Sequence, residues 1–148
     1  MRNNEAAARH HRLIYLLNVA QRRVQRFVAG QRRGATPAQS GLLFVLGKQD
    51  GLSMGEAGAA LDLGLPGISG LAERMAEARL IEKRNDPADG RAARLWLTAA
   101  GRKELARAKT SAAEINARLM DGFNEAEIDI VSRWLKAVQT KFPKGDDE

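Results

Sequence analysis

Residues 61–101, LDLGLPGISGLAERMAEARLIEKRNDPADGRAARLWLTAAG, constrain the fold of this chain more than any other stretch. Apolar residues recur at helical spacing as far as Arg79, and two short runs follow, residues 80–84 and 93–97. Between those runs lie turn formers, among them Asp86-Pro87 and Asp89-Gly90, so the segment predicts a β-hairpin. Alternation in the second run sends Leu95 and Leu97 to the core, sends Arg94 and Trp96 the other way, and leaves Arg91 projecting from the hairpin tip.

Upstream, Ser53-Met54-Gly55-Glu56 is a capping box that opens a short helix closing at Ala60-Leu61. The turn Asp62-Leu63-Gly64 leads to a further helix from about Leu65 to Arg79, with Pro66 in its first turn, where a missing N–H breaks no helical hydrogen bond. Two short helices joined by so tight a turn make a helix-turn-helix. Ile68, Leu71, Ala72, Met75 and Ala78 form the inward stripe of the second helix, leaving Gly67, Ser69, Gly70, Glu73, Arg74 and Glu77 outside. An exposed mid-helix glycine costs about 1 kcal/mol relative to alanine, and close approach to a groove or a phosphate is one reason to carry Gly70. With the hairpin behind it, the segment has the signature of a winged helix-turn-helix.

The remaining residues supply helices. Of the 148 residues 44% are hydrophobic but only 5% aromatic, which favours helices packed through Leu, Ala, Val and Ile. From about residue 6 to residue 29, Leu13, Leu16, Leu17, Ala20, Val24, Phe27 and Val28 mark one helix face. Arg9, Arg12, Arg22, Arg23 and Arg26 mark the other, which suits a solvated basic face, phosphate contact or an acidic dimer partner. Thr36-Pro37-Ala38-Gln39 is a capping box with proline at the first helical position, and its helix runs to about Lys48. Phe44 in that helix fits a core position or a cavity wall. Thr98 caps a long helix from about Ala99 to Met120, and Asn124-Glu125-Ala126-Glu127 opens a last one to about Lys141. Leu105, Ala108, Ala112, Ile115 and Leu119 on the first, and Ile128, Val131, Leu135 and Val138 on the second, lack an evident partner in the winged module. The expected architecture is therefore mainly α with a small β-hairpin wing, a single chain 1–148. It has a winged module at 36–98 and dimerisation helices at 6–30 and 99–142.

The net charge of +6 is unevenly spread: residues 1–34 carry eight Arg against one Glu, and residues 73–104 carry eight bases against six acids. Polyanions are plausible partners for such a surplus. The absence of cysteine excludes disulfides, thiolate catalysis and thiolate metal sites. His10 and His11 are adjacent and point to different helix faces, so no metal is expected, nor any cofactor. Phosphate loops, nucleophile elbows and supported carboxylate pairs are missing, so an enzyme is not expected. No apolar run approaches the roughly 18 residues that span a bilayer, and MRNNEAAARHH lacks the apolar core of a signal peptide. A cytoplasmic, non-membrane protein is the expectation.

These features together resemble the MarR family of bacterial transcriptional regulators, from the first helix to the last. The specific part is DPADGRAARLWLTAAG, in which Asp89, Arg91, Leu95, Leu97, Thr98 and Gly101 occupy the positions of the family's wing and following helix start. ISGLAERMAEARLIEKR is similar to the family's recognition helix and its exit into the wing. The resemblance implies a homodimer with interlocked terminal helices and two winged modules on a palindromic double-stranded DNA site. By position it places Ser69, Gly70 and Arg74 on the recognition helix in the major groove. Arg91 becomes the wing arginine in the minor groove, oriented by Asp89, with Arg94 beside it. Thr36, Gln39, Ser53 and Arg84 become phosphate contacts, and Arg12, Tyr15, Leu16 and Phe44 line a cleft for a small aromatic or phenolic effector.

Helix N-termini do present free N–H groups to phosphates, and a guanidinium suits a narrow minor groove. Each cation also has a plain reading, Arg91 as a solvated turn residue and Arg74 as a partner of Glu73 or Glu77. The outward face of the recognition helix departs from the family in being poor in base-edge donors, with Pro66, Gly67 and Gly70 where longer polar side chains would serve. The function expected is a ligand-responsive, dimeric repressor, against the alternative of a winged-helix interaction adaptor that contacts no DNA.

Overall fold

The computed structural model describes residues 12–31 and 34–143. Among the described residues the first helix is α1 (Leu13–Gly30), and Arg12 before it takes a left-handed backbone with φ 42°. Residues 6–11, on which the expected helix start, Arg9 and both histidines fall, lie outside the described residues, as do residues 32–33 and 144–148. The elements after it are α2 (Pro37–Lys48), β1 (Leu52–Ser53), α3 (Met54–Leu61), α4 (Leu65–Glu77), β2 (Ile81–Asn85), β3 (Ala93–Leu97), α5 (Ala99–Met120) and α6 (Glu125–Lys141). The chain divides into two compact units, Met1–Pro37 and Ala38–Glu148.

In the second unit the capping signals act as the sequence predicts. Ser53 Oγ accepts from the Glu56 amide at 3.1 Å while the Glu56 carboxylate accepts from the Ser53 amide at 2.8 Å, and Asn124 with Glu127 repeats the reciprocal pair at 2.9 Å each. Thr98 Oγ1 accepts from the Gly101 amide at 2.9 Å and starts α5. Such side-chain caps satisfy amide donors that a helix terminus leaves without partners.

The sheet is antiparallel with the order β1-β3-β2. β1 is an addition to the expected hairpin: Leu52 and Ser53 pair with Leu95 and Arg94, while β2 pairs with β3 from Ile81 opposite Leu97 to Asn85 opposite Ala93. A strand of two residues carries no alternation of its own, so nothing in the sequence marks Leu52 and Ser53 as a strand. Leu95 and Leu97 do point to the core, and Arg94 and Trp96 are half-buried on the other face.

The core lies between α2, α3, α4 and this sheet: Leu42, Leu43, Leu46, Leu52, Ala57, Ile68, Leu71, Ala72, Met75, Ile81, Leu95 and Leu97 are all buried. Ala78 is the exception among the expected inward residues. It is exposed because α4 stops at Glu77 rather than at Arg79, which itself takes a positive φ of 59° as the chain turns into β2. Leu105 is the one apolar residue of α5 in this core, and it lies over Gly47 of α2.

At Gly101 a Cβ would run into the carbonyl oxygen of Leu80. That oxygen accepts from the Thr98 amide and hydroxyl, each at 3.1 Å, and the hydroxyl also donates to Arg79 O at 2.7 Å. The Leu-Thr-x-x-Gly sequence is therefore a clasp that fixes the start of α5 against the exit of α4. Only a glycine lets the two backbones approach so closely.

Candidate nucleic-acid interface

α3 and α4 cross at a tight turn in which Asp62 adopts φ 58° and Leu63 N donates to Gly58 O at 2.9 Å. α4 then presents one face to the core and the other to solvent. Ser69 and Gly70 are half-buried at its edge; Glu73, Arg74 and Glu77 are exposed. Among the described residues Arg74 forms no ion pair with either glutamate. Its guanidinium instead lies across the bare Cα of Gly70, with Nη1 3.3 Å from where a Cβ would stand.

The wing is held by two carboxylates. Asp86 Oδ1 accepts from the Ala88 amide at 2.9 Å and Oδ2 from Arg94 Nε at 2.9 Å, and the loop closes by Asp86 N donating to Ala92 O at 2.8 Å. The Ala88 amide and then Arg94 hold the Asp86 carboxyl below the usual aspartate range. Asp89 does orient Arg91, but through the backbone: its Oδ1 accepts from the Arg91 amide at 3.1 Å, shaping the turn. The Arg91 guanidinium is exposed and forms no ion pair or hydrogen bond among the described residues. A loop pinned on both sides thus carries an unneutralised cation at its tip.

The other expected contacts are more engaged. Arg94 donates from Nη1 to Gly51 O at 2.8 Å, besides its pair with Asp86, and approaches Glu56 at 3.9 Å. It braces the wing against the loop before α3. Arg84 binds Glu82 through Nε and Nη2 at 3.2 and 2.9 Å and stacks 5.1 Å from the Trp96 ring centroid. The Ser53 hydroxyl is used as the cap of α3, and the Glu56 carboxylate sits at the same terminus. First the Ser53 amide and then its hydroxyl lower the pKa of Glu56 from the usual value, so a phosphate arriving there meets a negative charge. Thr36 and Gln39 stand at the start of α2, exposed and half-buried respectively.

Arg12, Tyr15 and Leu16 lie in the first unit, exposed, with the Arg12 guanidinium 4.9 Å from the Tyr15 ring centroid; Phe44 is half-buried in α2. Among the described residues no helix is long and apolar enough to cross a membrane, and no group of three or more His, Cys, Asp or Glu is placed to hold a metal ion.

Two groups escaped the sequence reading. Asp50 accepts from the Leu97 amide through Oδ1 at 2.9 Å and from Arg102 Nη2 through Oδ2 at 2.7 Å, so one side chain ties the end of α2 to β3 and to the first turn of α5. Lys83, on β2, is an exposed wing cation with no ion pair among the described residues. Nothing local in the sequence distinguishes either residue.

The sequence matches the family model described as MarR family over residues 33–92. No curated protein matches it. Among solved structures, a probable transcriptional regulator from Pseudomonas aeruginosa is 28% identical with a TM-score of 0.78, over 85% of this chain and 96% of that one. The transcriptional repressor CouR, solved bound to a 23-mer DNA duplex, is 28% identical with a TM-score of 0.77, over 85% of this chain and 91% of the other. BpsR of Bordetella bronchiseptica, whose DNA binding is regulated by 6-hydroxynicotinic acid, is 25% identical with a TM-score of 0.77, over 86% and 98%.

Proposed function

We propose that this chain, whose residues 33–92 match the MarR family model, acts as a homodimeric transcriptional repressor that binds a palindromic double-stranded operator and is released by a small aromatic or phenolic effector. The observation that carries the DNA-binding reading is the wing tip. Arg91 is held in place through its backbone by Asp89 while its guanidinium has no partner among the described residues. An exposed guanidinium on a held backbone breaks no ion pair on entering a narrow minor groove, where the negative potential is strongest. In the same compact unit α4 offers Ser69, Gly70 and Arg74 to the major groove, and Gln39 and Lys83 supply phosphate contacts; Thr36, in the first unit, is read as a phosphate contact by its place before α2. Arg94 acts in this reading by bracing the wing, Arg84 and Ser53 contributing less because Glu82 and Glu56 already occupy them.

Dimerisation rests on apolar faces left in solvent. Leu13, Ile14, Tyr15 and Leu16 of α1 are each more than half exposed, as are Leu119, Phe123 and Ile130 around the α5–α6 corner. A second copy covering them removes a large apolar area from water. An effector of that class then changes the population of dimers whose recognition helices are spaced for successive major grooves, about 34 Å apart. The support for a repressor answering to such a ligand is what the relatives CouR and BpsR do.

A band-shift titration of the full chain on its own upstream region, repeated across salt and with 6-hydroxynicotinic acid as the first effector probe, tests the reading. Binding that falls steeply with salt supports DNA recognition. Salt-insensitive or absent binding, with capture of a protein partner, supports the adaptor instead.

A further inference from the structure

The amino end of α4 is apolar where a reader of base edges would be polar. Leu65 is 66% exposed and Leu63 37%. The Leu63 side chain lies over Gly67, with its Cβ and Cδ2 each 3.6 Å from where a Cβ would stand on that glycine. Pro66 between them has neither an N–H nor a polar side chain. From Gly64 to Gly67 no residue carries a hydrogen-bonding side chain, and Ile68 turns into the core. A base edge facing this end of the helix therefore meets a leucine and a proline ring rather than a donor or an acceptor.

In a helix-turn-helix the residues near the amino end of the second helix are those that reach base edges. The major-groove edges of the base pairs present donors and acceptors that Leu65 cannot satisfy, and one apolar group, the C5 methyl of thymine. A polar edge set against Leu65 loses its water without replacement, whereas a methyl group loses only apolar contact with water. We propose that Leu65 is a specificity-determining residue that reads thymine in each half-site through its C5 methyl group. The proposal rests on α4 being the major-groove helix. It also explains how a recognition helix so short of polar side chains selects a sequence: Arg74 and the wing supply charge, and Leu65 supplies a discrimination made of shape and apolarity.

The test removes one methyl group at a time. The full-length protein first selects duplexes from a random-sequence library, and the selected duplex is prepared with thymine and again with deoxyuridine, which lacks only that methyl. The expectation is that the wild-type chain prefers the thymine duplex by roughly fourfold per half-site, so by more than tenfold over a palindrome. Leu65→Ala should bring the ratio of the two affinities close to unity, and Leu65→Met should restore it. Leu65 is exposed, so neither variant disturbs the core. Salt-dependent binding with equal affinity for both duplexes, or a preference that survives in Leu65→Ala, overturns the proposal and leaves the DNA-binding reading standing. Failure to bind either duplex overturns both.

Discussion

Arg94 and Asp86 meet at the mouth of the wing, Nε to Oδ2 at 2.9 Å, across eight residues of chain. The same guanidinium holds Gly51 O on the far side, so the wing is fastened to the loop before α3 rather than hanging from its two strands. Arg94→Met should speed amide exchange at Asp86 and Ala92, whose hydrogen bond closes the wing loop, and leave the amides of α5 unchanged. Because Arg94 acts as a brace, DNA binding should weaken without altering the salt slope. A slope reduced by about one would mean that Arg94 touches a phosphate directly.

The wing should also loosen in acid. Asp86 and Glu56 both titrate below their usual values when folded, held by amide hydrogen bonds and then, for Asp86, by Arg94. A carboxylate depressed in the folded state contributes stability that is present above its unfolded pKa and lost as pH falls through the folded one. The urea midpoint should therefore fall on acidification below the ordinary carboxylate range, and Asp86→Asn should flatten part of that fall. An identical pH profile in the variant would remove Asp86 from the account.

Gly101→Ala sets two effects against each other. Alanine favours a helix over glycine by about 1 kcal/mol, but its Cβ would meet the backbone oxygen of Leu80, which already accepts from Thr98 and has little room to move. The clash should win, with a net loss of about 1–3 kcal/mol, read as a lower thermal midpoint. Thr98→Val should remove the cap at a cost of about 1 kcal/mol, while Thr98→Ser keeps it.

The fold was legible wherever its cause is local. Capping boxes fixed the starts of α3 and α6, periodicity gave the inward face of α4, and turn formers gave the hairpin. Long-range causes were not legible: β1 exists because β3 lies beside it, and Asp50 meets Arg102 across 52 residues. The candidate site divides the same way. Arg91 is exposed at the tip as its turn requires, whereas the engagement of Arg84 by Glu82 and of Arg94 by Asp86 and Gly51 depends on which face of the sheet each occupies. At Gly70 the structure adds a neighbour that the sequence does not show, the Arg74 guanidinium beside its bare Cα.

The dimer reading makes Leu135 and Val131 of α6, 41% and 48% exposed, part of a covered surface. Leu135→Arg should leave the helical spectrum of the chain intact, because the side chain is not in the core, yet shift sedimentation from dimer to monomer at micromolar concentration. DNA affinity should fall with it, since half-sites are then bound one at a time. A dimer of unchanged strength would place the interface elsewhere.

The central claim is that the wing tip reaches DNA through Arg91. The direct measurement is the salt dependence of binding by wild type and Arg91→Ala on the same duplex, with sedimentation confirming that both are dimers. The account predicts weaker binding by the variant and a slope of log affinity against log salt shallower by about one contact per half-site. Equal affinity and an equal slope would contradict it.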